Sequence, residues 1–344
     1  MGFQLSETGN MARLLQQAAE TGRVLVLVYL DGGNDGLNTV VPLNRMSELN
    51  HLRPKVVLHE SDILPLASSS VGLHKELSGL RNLYNENRLQ IIQNVGYPDQ
   101  NFSHFRSTDI WMSGTDAHEI ESTGWVGRQL DQAFPGYPDA YPSSEMLDPL
   151  SVEIGYGSSL LFQGLAGSMS ITVNSVDSFY QLVDNIEQEA PDTPAGDKLR
   201  FLRLISRQSQ EYGARIVEVA RKVPNHTYYP ANNQLADQLK IVSKLIAGGS
   251  QTPVYMVRIG GFDTHDNQVN TNHSEGWHAY LLRQVNDAIT AFMADLAYQK
   301  VQDRVLGMTF SEFGRTILSN ASNGTDHGSA APLFLFGNAL RGGV

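Results

Sequence analysis

The stretch "VLVLVYLDGGNDGLNTVVPL", residues 24–43, leads from an aliphatic run directly into an acidic residue and two glycines. From Val24 to Leu30 every position is apolar or aromatic. This pattern is typical of a strand that helices cover on both sides of a parallel sheet. The run then stops at Asp31. A carboxylate at the end of a predicted buried strand is a candidate functional residue.

Composition limits the classes of protein that the chain can represent. Its 344 residues are 41% hydrophobic and 18% charged, which predicts a large buried core. The formal net charge of −11 argues against nucleic acid or an anionic membrane as the main partner. Cysteine does not occur, which excludes disulfides, thiolate nucleophiles and cysteine-ligated metals. No apolar run reaches the roughly 18 residues of a membrane span.

Short β-rich runs alternate with longer helical patterns, which predicts an α/β fold with a mostly parallel central sheet sandwiched by helices. The predicted strands are 24–30, 89–95, 169–173, 253–259, 304–310 and 332–337. The predicted helices are 74–87, 103–114, 122–134, 175–184, 197–221, 232–247 and 275–299.

We predict a single domain over residues 1–344, because no interdomain linker or repeat is visible. Residues 135–150 are rich in proline and small residues and are interpreted as a surface loop. Residues 185–250 contain helical patterns without a strand and are interpreted as a helical insertion or cap. Residues 1–23 lack a charged segment followed by an apolar one, so no signal peptide is expected in this chain.

Polar residues cluster where the predicted strands end or begin, and ligands of open α/β sheets bind at the carboxyl ends of the strands. Carboxylates and imidazoles that meet at one edge of the sheet repel one another unless a cation lies between them. Mixed carboxylate and imidazole ligation favours zinc, with manganese, iron, magnesium or calcium as alternatives. The sequence therefore predicts a site for one or two divalent metal ions. Its candidate residues are Asp31, Asp263, His265, Glu312, Asp326 and His327.

Each of these residues also has a purely structural interpretation. Asp31 begins an Asp-Gly turn, and the segment from Asp263 to His265 is compatible with a hydrogen-bonded loop. Glu312 is compatible with a carboxylate at a helix N-terminus, and "TDHG" with a polar turn. The convergence of all of them on one edge favours the metal site.

The segment "NFSHFRSTDIW" raises the question of a nucleophile. Ser103 lies where a helix should begin, so it is either an N-cap, a hydroxyl that attacks an ester, or both. His104 is a candidate further ligand or proton carrier, and Arg106 is a candidate anion clamp. Arg315 is assigned to orienting the anion. Asn34 and Asp326 are assigned to substrate binding.

Two nucleotide-binding motifs are rejected for "LDGGNDG". A dinucleotide fingerprint needs glycines spaced G-x-G-x-x-G, whereas these glycines are adjacent and Asp35 would face the pyrophosphate. A P-loop is excluded because no Gly-Lys-Ser/Thr follows.

Together, "VYLDGGNDGLNTVVP", "GLHKELSGLRNLYNENRLQIIQNVGYP", "SHFRSTDIW", "GGFDTHDNQ" and "FSEFGRT…DHG" resemble a bacterial domain family of unknown function. The resemblance extends from about Val24 to Gly343. It implies membership in the alkaline phosphatase-like superfamily, with its sheet between helices and its metal site at strand ends. It also implies export, typically by the twin-arginine route, to the periplasm or beyond.

By this resemblance, Asp31 is similar to the aspartate that binds a second metal, and Asp263 to a first-metal aspartate. Glu312 takes the place of another ligand aspartate, and His327 resembles the late histidine before the last strand. Ser103 falls in the nucleophile region. Phe313 departs from the pattern, because a ligand histidine stands there in the phosphatases. His265 also departs from it, because it follows Asp263 by two residues rather than four, and Asn267 occupies the further position.

These observations favour a metal-dependent hydrolase of a small phosphate or sulfate ester. A non-catalytic exported binding or scaffold protein is the alternative, and Phe313 is its best support. An intramolecular phosphoryl transferase is not separated from a hydrolase by the sequence. The substrate, the number of metals and the oligomeric state also stay open.

Overall fold

A computed structural model describes residues 20–67, 69–155, 157–174 and 192–344, with the backbone alone at 196 and 197. The predicted helix 175–184 and the beginning of the predicted insertion lie outside the described residues.

The described strands include all six that the sequence predicts. They are β1 Val24–Asp31, β2 Val40–Pro42, β3 Ile63–Pro65, β4 Val71–His74, β5 Leu89–Val95, β6 Ser151–Ile154, β7 Ser170–Val173, β8 Val254–Gly260, β9 Val305–Phe310, β10 Gly314–Ser319, β11 Thr325–Gly328 and β12 Ala331–Phe336. The strands that were not predicted have three to six residues, and several contain glycine or proline. Such segments carry little alternation from which to recognise a strand.

The described helices match the predicted ones to within a few residues, and two short helices were not predicted. They are α1 Gly36–Thr39, α2 Met46–Leu52, α3 Ser78–Asn85, α4 His104–Ser113, α5 Trp125–Ala133, α6 Pro194–Arg221, α7 Gln234–Ala247 and α8 Trp277–Tyr298. Within the described residues, each helix is too short or too polar to cross a bilayer.

The central sheet has seven strands in the order β5-β12-β9-β1-β8-β6-β7, is mostly parallel and is flanked by helices, which confirms the predicted fold class. β12 is antiparallel to both β5 and β9. Because β12 is antiparallel to β9, the residues just before β12 lie at the edge of the sheet where β9 ends. This reversal explains how "TDHG" reaches the same edge as residues that follow a strand.

The chain divides into two compact units. Among the described residues, one consists of 20–24, 121–155, 157–174, 192–224 and 241–255, and it contains the parallel pair β6–β7. The other consists of residues 25–120, 225–240 and 256–344, and it contains all the candidate site residues. The prediction of a single domain stays a prediction.

The second unit is built on strands that are buried on both faces. Val26, Leu27, Val28 and Tyr29 of β1 are each at most 1% exposed. Burying an aliphatic side chain of this size contributes about 1.5–3 kcal/mol. The apolar run at the start of the quoted stretch is therefore core, and its end carries Asp31 to the edge of the sheet.

Candidate metal site

Three imidazoles converge on one carboxylate oxygen. Asp263 Oδ1 lies 3.3 Å from His104 Nε2, 3.0 Å from His265 Nε2 and 3.3 Å from His327 Nε2. The potential ligand atoms of His104, Asp263 and His327 all lie within 4.8 Å of one another. We call His104, Asp263, His265 and His327 the histidine cluster.

The members of the histidine cluster come from three separate parts of the second unit. His104 is the first residue of α4, and Asp263 and His265 lie in the loop after β8. His327 is on β11, directly opposite Arg315 on β10 in the hairpin. The sequence predicted Asp263, His265 and His327 as ligands. It gave His104 only as a catalytic residue or further ligand.

Each imidazole is held at Nδ1 by a group that only accepts hydrogen bonds. His104 Nδ1 lies 2.7 Å from Glu312 Oε1, His265 Nδ1 lies 3.1 Å from Asp326 Oδ1, and His327 Nδ1 lies 2.7 Å from the Phe102 carbonyl. A neutral ring in such a contact carries its proton on Nδ1, which leaves a lone pair on Nε2. This is the arrangement by which proteins orient metal-ligating histidines.

The facing lone pairs fit a cation. His265 Nε2 and His327 Nε2 are 2.8 Å apart, and His104 Nε2 is buried without a hydrogen-bond donor. Burial lowers the pKa of His327, and the positive charge of Arg315 lowers it further, which favours a neutral ring. Three imidazole nitrogens and one carboxylate oxygen are ligands that suit zinc. The residues present therefore fit a divalent metal ion.

Glu312 supports the histidine cluster from the protein interior. Its side chain is fully buried, and Oε1 accepts hydrogen bonds from the Gly32 amide at 2.9 Å and from His104. Oε2 accepts a hydrogen bond from the Ser311 hydroxyl at 3.2 Å. The structure thus places Glu312, a predicted ligand, behind His104.

Arg315 is also interior rather than open to a substrate. Its guanidinium donates to the carbonyls of Gly32, Gly33, Phe262 and Thr325 and, at 2.6 Å, to Asp263 Oδ1. Burial raises the pKa of Asp263, but the hydrogen bond and charge of Arg315 outweigh it and keep that pKa below its usual range. Arg315 therefore fixes the loops that carry the ligands and keeps Asp263 ionised.

Asp31 pairs with Arg258, a residue that the sequence analysis missed. Asp31 Oδ2 accepts from Arg258 Nε at 3.2 Å and from Nη2 at 2.5 Å. The Arg258 guanidinium also lies 5.4 Å from the centre of the Tyr29 ring. Arg258 is the fifth residue of β8, the neighbour of β1 in the sheet. The sequence shows an arginine at position 258, but its pairing with Asp31 depends on the order of the strands in the sheet.

The remaining predicted residues lie in different surroundings. Ser103 is exposed and begins α4, but its hydroxyl does not cap the helix. Arg106 donates to the carbonyls of Ala117 and Glu119, away from the histidine cluster. Asn34 is buried, and its Oδ1 accepts from Thr39 and His278. Asp326 reaches the histidine cluster indirectly, through His265.

Two uncharged residues shape the approach to the site. Gly32 has φ of +119°, and a Cβ at this position would lie 2.3 Å from the Asp263 amide nitrogen. Only glycine allows the chain after β1 to pass this close to the ligand loop. The buried Phe313 ring lies 4.8 Å from the His104 ring and 4.6 Å from the His327 ring. At the position where the resemblance implies a histidine, Phe313 forms an apolar wall.

Comparisons with known proteins agree with the sequence resemblance. Residues 187–344 match the model of a protein family of unknown function, DUF1501. A comparison with curated proteins finds no significant sequence match. Similar solved structures include the C-terminal periplasmic domain of EcEptC from Escherichia coli, in complex with Zn, at 14% identity and a TM-score of 0.34. This match covers 92% of the chain and 73% of the EcEptC structure.

Two further structures are similar at the same level. Alkaline phosphatase from the Antarctic bacterium TAB5 is 8% identical with a TM-score of 0.34, and 92% of each chain is covered. The PsFucS1 sulfatase from Pseudoalteromonas sp. is 11% identical with a TM-score of 0.31, covering 99% of this chain and 68% of the sulfatase. The family expectation is in line with this match: residues 187–344 are similar to the DUF1501 family of proteins of unknown function.

Proposed function

We propose that this protein is a metal-dependent hydrolase of phosphate or sulfate esters. The observation that carries the proposal is the convergence of three imidazole Nε2 atoms on Asp263 Oδ1, with every Nδ1 held by an acceptor. A purely structural cluster would pair each acceptor with a donor. When both rings are neutral and carry their protons on Nδ1, the two Nε2 atoms at 2.8 Å face each other without a donor.

In this proposal His104, Asp263, His265 and His327 hold one divalent ion, with zinc preferred. When bound, such an ion polarises an ester oxygen and lowers the pKa of a hydroxyl or water. Glu312, Asp326 and the Phe102 carbonyl fix the three rings, and Arg315 keeps Asp263 ionised.

Ser103 is the proposed nucleophile. It precedes His104 at the N-terminus of the ten-residue helix α4, where the backbone amides favour a negatively charged oxygen. Its hydroxyl is not used as a helix cap, which leaves it available for reaction. We further propose that the substrate is a small anionic ester and that the protein acts outside the cytoplasm. The sequence resemblance supports the location.

The test measures zinc content and ester hydrolysis in the same samples. Protein purified without chelators and dialysed against zinc is expected to retain the ion and to release nitrophenol from an aryl phosphate or an aryl sulfate. His327→Ala is expected to lose both properties. His118→Ala is the matched control, because His118 is 83% exposed and pairs only with the exposed Asp99.

The possible outcomes distinguish the metal-dependent hydrolase from the non-catalytic binding or scaffold protein. Zinc bound by the unaltered protein and lost in His327→Ala, without hydrolysis of either ester, would favour the exported binding or scaffold protein. Hydrolysis that survives in His327→Ala would contradict the proposed site. Failure to bind zinc, manganese or calcium would contradict the proposal as a whole.

A further inference from the structure

The Asp31 carboxylate is already occupied by a cation from the protein. The sequence resemblance implies that Asp31 binds a second metal, yet Arg258 makes two hydrogen bonds to Asp31 Oδ2. Among the described residues, Asp31 is not part of the group whose ligand atoms lie within 4.8 Å of one another. The Arg258–Asp31 pair is therefore an element of its own beside the histidine cluster.

We propose that the site holds a single divalent ion, and that the Arg258 guanidinium takes the place of a second cation and binds the oxyanion of the substrate. This inference rests on the proposed function and adds the residue that recognises the substrate's tetrahedral oxyanion, phosphate or sulfate.

In the part of the chain that the structure describes, no second group of potential ligands is found, which supports a single ion. A second ion near Asp31 would have to displace Arg258. Another carboxylate along this edge, Glu312, is fully buried and accepts from the Gly32 amide, the Ser311 hydroxyl and His104. Moving Glu312 onto an ion would leave the Gly32 amide and His104 Nδ1 without this acceptor, which costs about 1–3 kcal/mol for each buried group.

The placement of Arg258 supports its role with an anion. Its side chain is 58% exposed, and its guanidinium contacts both the Asp31 carboxylate and the Tyr29 ring. A planar guanidinium suits phosphate and sulfate oxygens, which accept two parallel hydrogen bonds from it.

The pair is also connected to the histidine cluster through the backbone. Gly32 follows Asp31, and its amide donates to the Glu312 oxygen that His104 Nδ1 also contacts. The Phe262 amide donates to the Asp31 carbonyl at 3.1 Å, one residue before Asp263. These short links place Arg258 on the same edge of the unit as the metal ligands.

The first measurement is the zinc stoichiometry after equilibrium dialysis. One tightly bound zinc per chain is the expected result. Two tightly bound ions per chain in the unaltered protein would overturn this inference while leaving the proposed hydrolase intact. Failure to bind zinc, manganese or calcium would overturn the proposed function itself.

The second measurement is calorimetric binding of inorganic phosphate and of sulfate to the zinc-loaded protein. Arg258→Ala is expected to weaken oxyanion binding by about tenfold to a hundredfold, the usual value of a charge-assisted hydrogen bond, with one zinc still bound. Arg258→Lys, which keeps the charge, is expected to be intermediate. The control is Arg283→Ala, because Arg283 is 52% exposed and makes a similar two-point contact with Glu76.

Unchanged oxyanion affinity in Arg258→Ala would overturn the inference. The absence of phosphate and sulfate binding by the unaltered zinc-loaded protein would overturn it as well. An equal loss in Arg283→Ala would show that a general change of surface charge is responsible, and would also overturn it.

Discussion

Two regions of the second unit use the same types of side chain for different ends. The first is the histidine cluster. The second is a buried polar network made of Asn34, Asp35, Arg53, Gln268 and His278, and it comes in part from the same segments of chain. In this network Asp35 accepts from the Leu37 amide, from Arg53 and, at 2.6 Å, from Gln268 Nε2.

The difference lies in which kind of group is left unmatched: the buried polar network leaves donor atoms of Asn34 and Arg53 without a partner, whereas the histidine cluster brings acceptors together. In the buried polar network, His278 Nε2 lies 3.0 Å from Asn34 Oδ1, an amide oxygen that accepts its hydrogen. In the histidine cluster, the Nε2 atoms face one another and a carboxylate, and all of these are acceptors when the rings are neutral. Residue types alone therefore do not distinguish the proposed metal site from the buried polar network, whereas an excess of inward-facing acceptors does.

The largest expected effect concerns the buried polar network. Arg53→Met leaves the fully buried Asp35 carboxylate without its cation and is expected to lower the free energy of unfolding by about 3–5 kcal/mol. Denaturant unfolding measures this change. Arg45→Met, which breaks the exposed pair with Glu48, should cost less than about 1 kcal/mol. Equal losses in the free energy of unfolding of the two variants would contradict the expected difference between the buried and the exposed ion pair.

The pH dependence of stability sharpens the same comparison. Burial lowers the pKa of His278 to about 4, whereas in the unfolded chain it is about 6.5. Between these values the unfolded state binds more protons, so stability falls as the pH drops below 6.5. The full loss from this ring is roughly 3 kcal/mol.

This dependence is checked by denaturant unfolding of the unaltered protein and of His278→Gln between pH 7 and pH 4.5. We expect a smaller loss in the variant over this interval, because it no longer carries the buried ring. Identical slopes in the two proteins would show that His278 does not stay neutral in the fold.

A smaller effect is expected for the carboxylate behind His104. Glu312→Gln removes the charge that orients this ring and should weaken zinc affinity about tenfold to a hundredfold. Competition with a chromophoric chelator measures the affinity. Glu76→Gln, which alters a carboxylate paired with Arg283, is the control and should leave zinc affinity unchanged.

The smallest effect is expected for Asp326→Asn. Asp326 is 63% exposed and holds His265 Nδ1 at 3.1 Å, where water can replace it. Zinc affinity should fall by less than about tenfold. An effect as large as that of Glu312→Gln would indicate that exposure does not weaken the orienting contact.

Much of the fold and part of the candidate site follow from the sequence. The six predicted strands were recognised because each contains a short run rich in aliphatic or β-branched residues. Asp263, His265 and His327 were singled out because residues at strand ends meet at one edge. Their proximity in the structure is in line with that rule.

Other features depend on three-dimensional pairing that periodicity does not encode. The contact of Arg258 with Asp31 depends on β8 lying beside β1, and the position of Glu312 behind His104 depends on how α4 packs. The β10–β11 hairpin was missed because its strands contain few regularly alternating residues. Sequence therefore indicated which residues approach the edge, but not which of them contact one another.

The reversed strand β12 and the hairpin before it have a consequence for how the unit holds together. His327 contacts Phe102, 225 residues earlier in the chain, and His104, two residues after Phe102, belongs to the same cluster as His327. The strands β5 and β12 already pair between these two parts of the chain, with Val95 opposite Ala331. An ion bound at the cluster would therefore link segments that the sheet has already brought together, so a chelator would loosen the cluster without separating the segments.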